Sequence, residues 1–334
     1  MGTRRVDHKR LVHDFSSTVR DASADDIGAL LTEYYHENAD WQGPAPVGKL
    51  DGVDAITTGF WEPLLTSVPD LQKNEYVLFG GSFDGAEWVC TTGRFVGTFE
   101  RDWLDIPATG GPIWIQYGEF HRLEDSRIVE TRTIFDVLDV IHQAGFRVLP
   151  SLAPEVVAPG PSTQDGVLLD DCDQESSDRT LQLVEDMIFE GLHSYEEAGL
   201  EGMGMEEYWH EDFMWYGPAG IGTTRGIDAF QACAQGPLLE ALPDRRGGNH
   251  ISRIAEGNYC ASTGWPSVTA THTGSGWLGL PATGREVEMR VIDVWRREGD
   301  LLAENWVFID IIDLLEQLDL DVFDRLRTHP MSLR

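Results

Sequence analysis

The sequence predicts an α+β fold built twice in tandem. Four observations carry that expectation. A stretch of twenty residues recurs: HENADWQGPAPVG begins at His36 and HEDFMWYGPAGIG at His210, and ten of the twenty positions from His36 to Ala55 are identical to those from His210 to Ala229. The spacing persists downstream, where Trp103 matches Trp277, Glu130 matches Glu304 and Asp136 matches Asp310. Within each copy, helical patterns come first and strand patterns follow, the order of a layered α+β fold rather than a doubly wound one. Finally, 334 residues exceed the usual size of one domain. The expected units are 1–148 and 178–334, joined by a linker over 149–177.

The elements follow in order. Leu11, Val12, Phe15 and Val19 fall at helical spacing, as do Ile27, Leu30, Leu31 and Tyr34. Trp41 enters a short strand that ends at Gly43-Pro44. Ile56, Phe60 and Leu64 mark a third helix, which Pro63 should kink or break; Pro237 occupies the same place in the second copy. The period then shifts toward two in YVLFGGSF, EWVCTTGRFVGTF, IWIQYGEFHRL and RIVETRTIFDV. A short helix from Val137 to Gln143 closes the unit. The second copy repeats this order, with a helix near Leu181 to Tyr195, a strand at Trp215, a helix near Asp228, four strands, and a longer closing helix in DIIDLLEQLDLDVFDRL. Proline and serine density in LPSLAPEVVAPGPSTQDG marks the linker. Asp171, Asp173 and Glu175 lack the turn glycine and distal Glu of a calcium loop, so a solvated linker is expected there.

Composition narrows the partners. The net charge is −32, with 57 acidic residues. Such a field repels phosphate backbones and anionic membranes, so neither nucleic acid nor a lipid surface is an expected partner. Four cysteines without a C-x-x-C pair do not make a disulfide framework, and free thiols point to a reducing, cytoplasmic setting. The N-terminus lacks the apolar stretch of a signal peptide. Glycine-rich nucleotide loops, H-E-x-x-H and G-x-S-x-G are all missing, so no cofactor and no metal are expected.

The second copy carries a further pattern: His272-x-Gly274, Leu278-Gly-Leu-Pro281, Thr283-Gly-Arg285, Asp293-x-Trp-Arg296, and Glu304-Asn-Trp306 leading into Asp310. With His210-Glu-Asp-Phe213, Gly226 and Asp228-x-Phe230 upstream, it resembles the SnoaL-like polyketide cyclases of the NTF2-like superfamily, which includes ketosteroid isomerase. The resemblance spans essentially all of the second copy and, more weakly, the first. It implies two NTF2-like cone domains, each a curved, mostly antiparallel sheet wrapped on helices around an apolar pocket. It also implies that the fused copies form an intrachain pseudo-dimer, present as a monomer or as a homodimer of it.

The resemblance also assigns positions. The cyclase catalytic Asp follows the motif that here reads Glu304-Asn-Trp306, which places Val307 and Thr133 where that acid would stand. The family's pocket His corresponds to Asp293 and Glu119, and its pocket Asn to Trp215 and Trp41. Strand alternation sets Met289 and Val291 on the face of Asp293, and Ile115 and Tyr117 on the face of Glu119. A carboxyl buried in such an apolar row has its charged form disfavoured and becomes a general base for a carbon acid. The alternatives are an ion pair, with Arg290, Arg296 and Arg297 near in sequence, or a ligand anchor. Asp293, Glu119 and His272 are therefore the candidate catalytic residues. Trp41, Trp215, Tyr117, Trp277, Trp103 and Asn305 are the candidate ligand-binding ones. The expected function is a cofactor-free enzyme acting on a small apolar carbonyl compound by proton transfer, as in cyclisation or isomerisation. A non-catalytic small-ligand binder and a protein-interaction scaffold are the competing readings. Unit two, which keeps His272 and His250, is expected to be the more active half.

Overall fold

The computed structural model describes residues 2–150, 153–192 and 199–328. Contacts sort them into two compact units: residues 162–171 and 321–328 join 2–148 in unit one, and the rest form unit two.

In unit one, α1 (Gly2–Val19) and α2 (Ile27–Tyr34) precede β1 (Tyr35–Gln42) and β2 (Lys49–Asp51). A helical stretch then runs through α3 (Val53–Ile56), a π turn (Thr57–Trp61) and α4 (Glu62–Ser67). The strands β3 (Gln72–Phe83), β4 (Ala86–Thr98), β5 (Pro112–Glu124) and β6 (Arg127–Phe135) follow, and α5 (Val137–Gln143) closes the unit. The sheet order is β2-β1-β6-β5-β4-β3. All its pairings are antiparallel except β1 with β6, so the sheet is mixed.

Unit two repeats the plan. Helix α6 (Gln174–Asp186) continues as a π turn over Met187–Gly191, and the part of the expected helix from 193 to 195 lies outside the described residues. The strands are β7 (Trp209–Tyr216), β8 (Thr223–Arg225), β9 (Ser252–Glu256), β10 (Tyr259–Thr271), β11 (Glu286–Glu298) and β12 (Leu301–Ile309), in the order β8-β7-β12-β11-β10-β9. The parallel pair is again the first strand with the last, β7 with β12.

The expected break at Pro63 is instead a π turn. Proline has no N–H to give to the carbonyl four residues back. The chain widens by one residue, and the N–H of Glu62 donates to the carbonyl of Thr57. At Pro237 the N–H of Gly236 donates to Gln231 in the same way. The long closing helix of unit two is two helices, Ile311–Gln317 and Val322–Thr328. Asp319 at φ 64 turns the chain between them, and the second packs with unit one.

The linker is ordered where it lies along sheet edges. In unit one the N–H of Leu78 donates to the carbonyl of Gly166, and the N–H of Leu168 to that of Leu78, at 2.8 and 2.7 Å. In unit two the N–H of Thr223 donates to the carbonyl of Glu155 at 3.1 Å. Both contacts use backbone groups that an open edge strand would leave unpaired.

Candidate active site

The interior of unit two is hollow. A cavity of about 590 Å³ lies between the inner face of its sheet and its helices, a size common for small-molecule sites. Its wall is mostly apolar, with Met289, Val291, Val307 and Ile309 on the sheet side and Leu238 and Leu239 on the helix side. Trp215 forms part of the wall. Its ring lies over Gly217, where a Cβ would meet it at 2.0 Å, which explains the repeated Trp-x-Gly-Pro.

Asp293 is the only carboxylate in this wall among the described residues. It sits on β11 between Ser262 of β10 and Val307 of β12. The residue is half-buried, and its side chain lines the cavity. Burial raises its pKa to about 7, against a hydrogen bond from Asn305 that pulls it down. Asn305 also donates through Nδ2 to the carbonyl of Val294 at 3.1 Å, which fixes its amide beside the acid.

The neighbouring arginines do not pair with Asp293. Arg290 reaches Asp310 and Asp313, each at 3.2 Å. Arg296 binds Glu304, and Glu298 at 2.9 Å. Arg297 donates to Thr180, Ser176 and Asn258. Among the described residues Asp293 has no ion pair.

Glu119 holds the same place in unit one, between Thr91 and Thr133, and its environment is opposite. Its carboxylate is fully enclosed and hydrogen-bonded to the Lys73 ammonium, with Nε2 of His121 at 3.4 Å. Burial alone would raise its pKa, but Lys73 and His121 outweigh burial and hold it at about 2. The expectation of a raised pKa is therefore corrected for Glu119: at neutral pH it is an anion in a buried ion pair. The ammonium lies over the ring of Tyr117 at 4.8 Å and near those of Phe15 and Phe95 at 5.5 and 5.9 Å. Cation–π attraction adds to the pairing.

The remaining unit-one candidates are packed core. Trp41 lies 4.9 Å from Phe60, Tyr117 4.8 Å from Phe95, and Trp103 5.6 Å from Phe135, between ring centroids. Comparison at the 174-residue spacing accounts for the difference between units. Phe60, Trp61, Tyr117 and Phe135 are replaced by Ala234, Gln235, Val291 and Ile309, and Lys73 by Gly247. All five unit-two residues line the cavity.

His272 and Trp277 are not among the cavity-lining residues. His272 follows β10, with Nδ1 3.1 Å from Oγ1 of Thr283 and its backbone N–H donating to the carbonyl of Arg285. Burial lowers its pKa. Trp277 is buried in a short turn before β11. Of the nine candidates, then, Asp293, Asn305 and Trp215 meet in one cavity. Sequence reasoning passed over Ser262, Ser267 and Gln235, which also line it. The available signal was the exchange of large for small residues between the copies.

The sequence pattern of the SnoaL-like polyketide cyclases matches residues 12–144 and 198–318, together well over half of the chain. The chain belongs to that family. Both units of this SnoaL-like protein therefore carry the family's fold, one copy per matched region. Among solved structures, IdmH from Streptomyces antibioticus is 22% identical over 40% of this chain and 98% of its own, with a TM-score of 0.34. TsrD from Streptomyces laurentii is 23% identical over 44% and 98%, with a TM-score of 0.34. An NTF2-like protein from Burkholderia xenovorans LB400 is 18% identical over 42% and 97%, with a TM-score of 0.33. No curated protein matches the chain. No described helix is long and apolar enough to cross a membrane.

Proposed function

We propose that unit two is a cofactor-free enzyme site in which Asp293 removes a proton from the carbon next to a carbonyl of a small, mostly apolar molecule. The observation that carries this reading is the carboxyl of Asp293, without an ion pair among the described residues, on a mostly apolar cavity wall that raises its pKa to about 7. A base is most useful when its pKa lies near the working pH, and such groups contribute about 10²–10⁴-fold. The apolar wall supplies binding by burial, and Trp215 offers a flat surface to a ring or chain. Proton removal and return at two carbons gives isomerisation; attack of the resulting enolate on a second carbonyl gives cyclisation. The family resemblance aligns Val307 with the acid of the cyclases, and on this reading the base role falls to Asp293.

Hydrogen–deuterium exchange at the α-carbons of 2-decalone, followed by NMR, tests the reading. The wild-type rate should rise with pH through about 7 as Asp293 ionises and then level. Asp293→Asn should slow it by about 10²–10⁴-fold. Binding of 2-decalone with no exchange above the buffer rate would instead support a non-catalytic binding protein.

A further inference from the structure

A histidine also faces this cavity. His250, just before β9, lines its wall. Its Nδ1 lies 2.9 Å from Nη1 of Arg253. A guanidinium has donors and no acceptor. Nδ1 must therefore accept, and the proton of the neutral ring sits on Nε2. Arg253 is itself anchored. Its Nε and Nη2 both reach Oε1 of Glu185, at 2.8 and 2.7 Å, and its guanidinium lies 5.1 Å from the Phe189 ring centre. That ring also meets the imidazole, with centroids 6.5 Å apart. Glu185, Arg253 and His250 thus form a chain that fixes both the tautomer and the orientation of the ring. Burial and the charge of Arg253 lower the His250 pKa to about 4, so the ring is neutral at pH 7. Nε2 has no protein partner among the described residues and is not sealed in the interior.

The geometry points to His250 as the hydrogen-bond donor that, through Nε2–H, holds the carbonyl oxygen of the molecule whose α-proton Asp293 removes, with Arg253 as the positioning residue. This rests on the reading of Asp293 as the base. Ser262 pairs across the sheet with Arg253 on one side and Asp293 on the other. Two strand spacings, roughly 10 Å, separate the backbones of Arg253 and Asp293; His250 stands three residues before Arg253, and its side chain and that of Asp293 line the same cavity. In the step, the carboxylate of Asp293 takes the α-proton. The C–H electron pair becomes the C=C bond of the enolate, and the carbonyl π pair moves onto oxygen. His250 keeps its proton and donates to that oxygen. A neutral imidazole suits this task because it polarises the carbonyl without bringing a charge that Asp293 would neutralise. Unit one has no such arrangement among the described residues: strand pairing sets Leu78 where Arg253 stands, and Glu75, three residues before it, binds Nδ1 of His13 at 2.6 Å.

Nitrogen NMR of the full chain carrying ¹⁵N-labelled histidine tests this without needing turnover. His250 should show the Nε2–H tautomer and titrate near pH 4. Arg253→Gln should move that titration up toward the ordinary histidine value. Addition of 2-decalone should shift the Nε2 resonance. In the exchange assay, His250→Ala should lower kcat by about 10²–10³-fold, the loss typical of one donor to a developing oxyanion, with little change in KM. The inference is overturned by an Nδ1–H tautomer, by an Nε2 resonance that 2-decalone leaves in place, or by wild-type exchange in His250→Ala where Asp293→Asn has lost it. Undiminished exchange in Asp293→Asn would remove the base alone, and the Nε2 response would still decide on His250.

Discussion

Asp293 and Glu119 occupy one position in two copies of a fold, yet one carboxyl titrates near neutrality and the other near pH 2. The deciding residue is Lys73, whose counterpart is Gly247. Because the folded pKa of Glu119 lies below its ordinary value, its pairing stabilises the protein above about pH 4.5 and is lost as pH falls toward 2. Removing one partner strands the other charge inside unit one. Glu119→Gln and Lys73→Met should each cost about 3–5 kcal/mol, while the double variant should be less destabilised than either single one. Denaturant melts of the full chain at pH 7 measure this; additive losses would contradict it. Both carboxylates could be placed from the duplication and the alternation of strand faces. Lys73 could not be matched to Glu119, because 46 residues separate them and only the register of β3, β4 and β5 brings them together.

At the level of elements, most of the fold was legible. The β4 and β5 runs and the helix Val137–Gln143 lie where periodicity sets them. The closing helices begin at Asp136 and Asp310, whose side chains accept from the N–H groups of Asp139 and Asp313, a capping pattern present in both copies. The short edge strands β2 and β8 were not legible, since three residues carry no period. Nor was the parallel pairing of first and last strands, which is a property of topology. The continuous apolar pattern of 310–326 reads as one helix. Only the positive φ at Asp319 shows that it is two, and aspartate reaches that conformation without announcing it in sequence.

On the scale of the whole chain, duplication was followed by divergence in what fills each interior. Unit one holds Phe60, Trp61 and Tyr117, together with a buried ion pair; unit two has smaller residues at those positions and is hollow. Refilling the hollow should abolish ligand binding. Ala234→Phe, which restores the unit-one residue, should weaken 2-decalone binding by at least about tenfold, or 1.4 kcal/mol. Calorimetry reads this, and unchanged affinity would place the ligand elsewhere.

The account turns on a lone carboxyl in an apolar cavity, and a carbon-13 NMR titration of the aspartate and glutamate carboxyls in wild type and Asp293→Asn tests it most directly. The predicted result is one carboxyl that titrates near pH 7 in the wild type and is missing from the variant. A wild-type spectrum in which every carboxyl has titrated below pH 5 would contradict it.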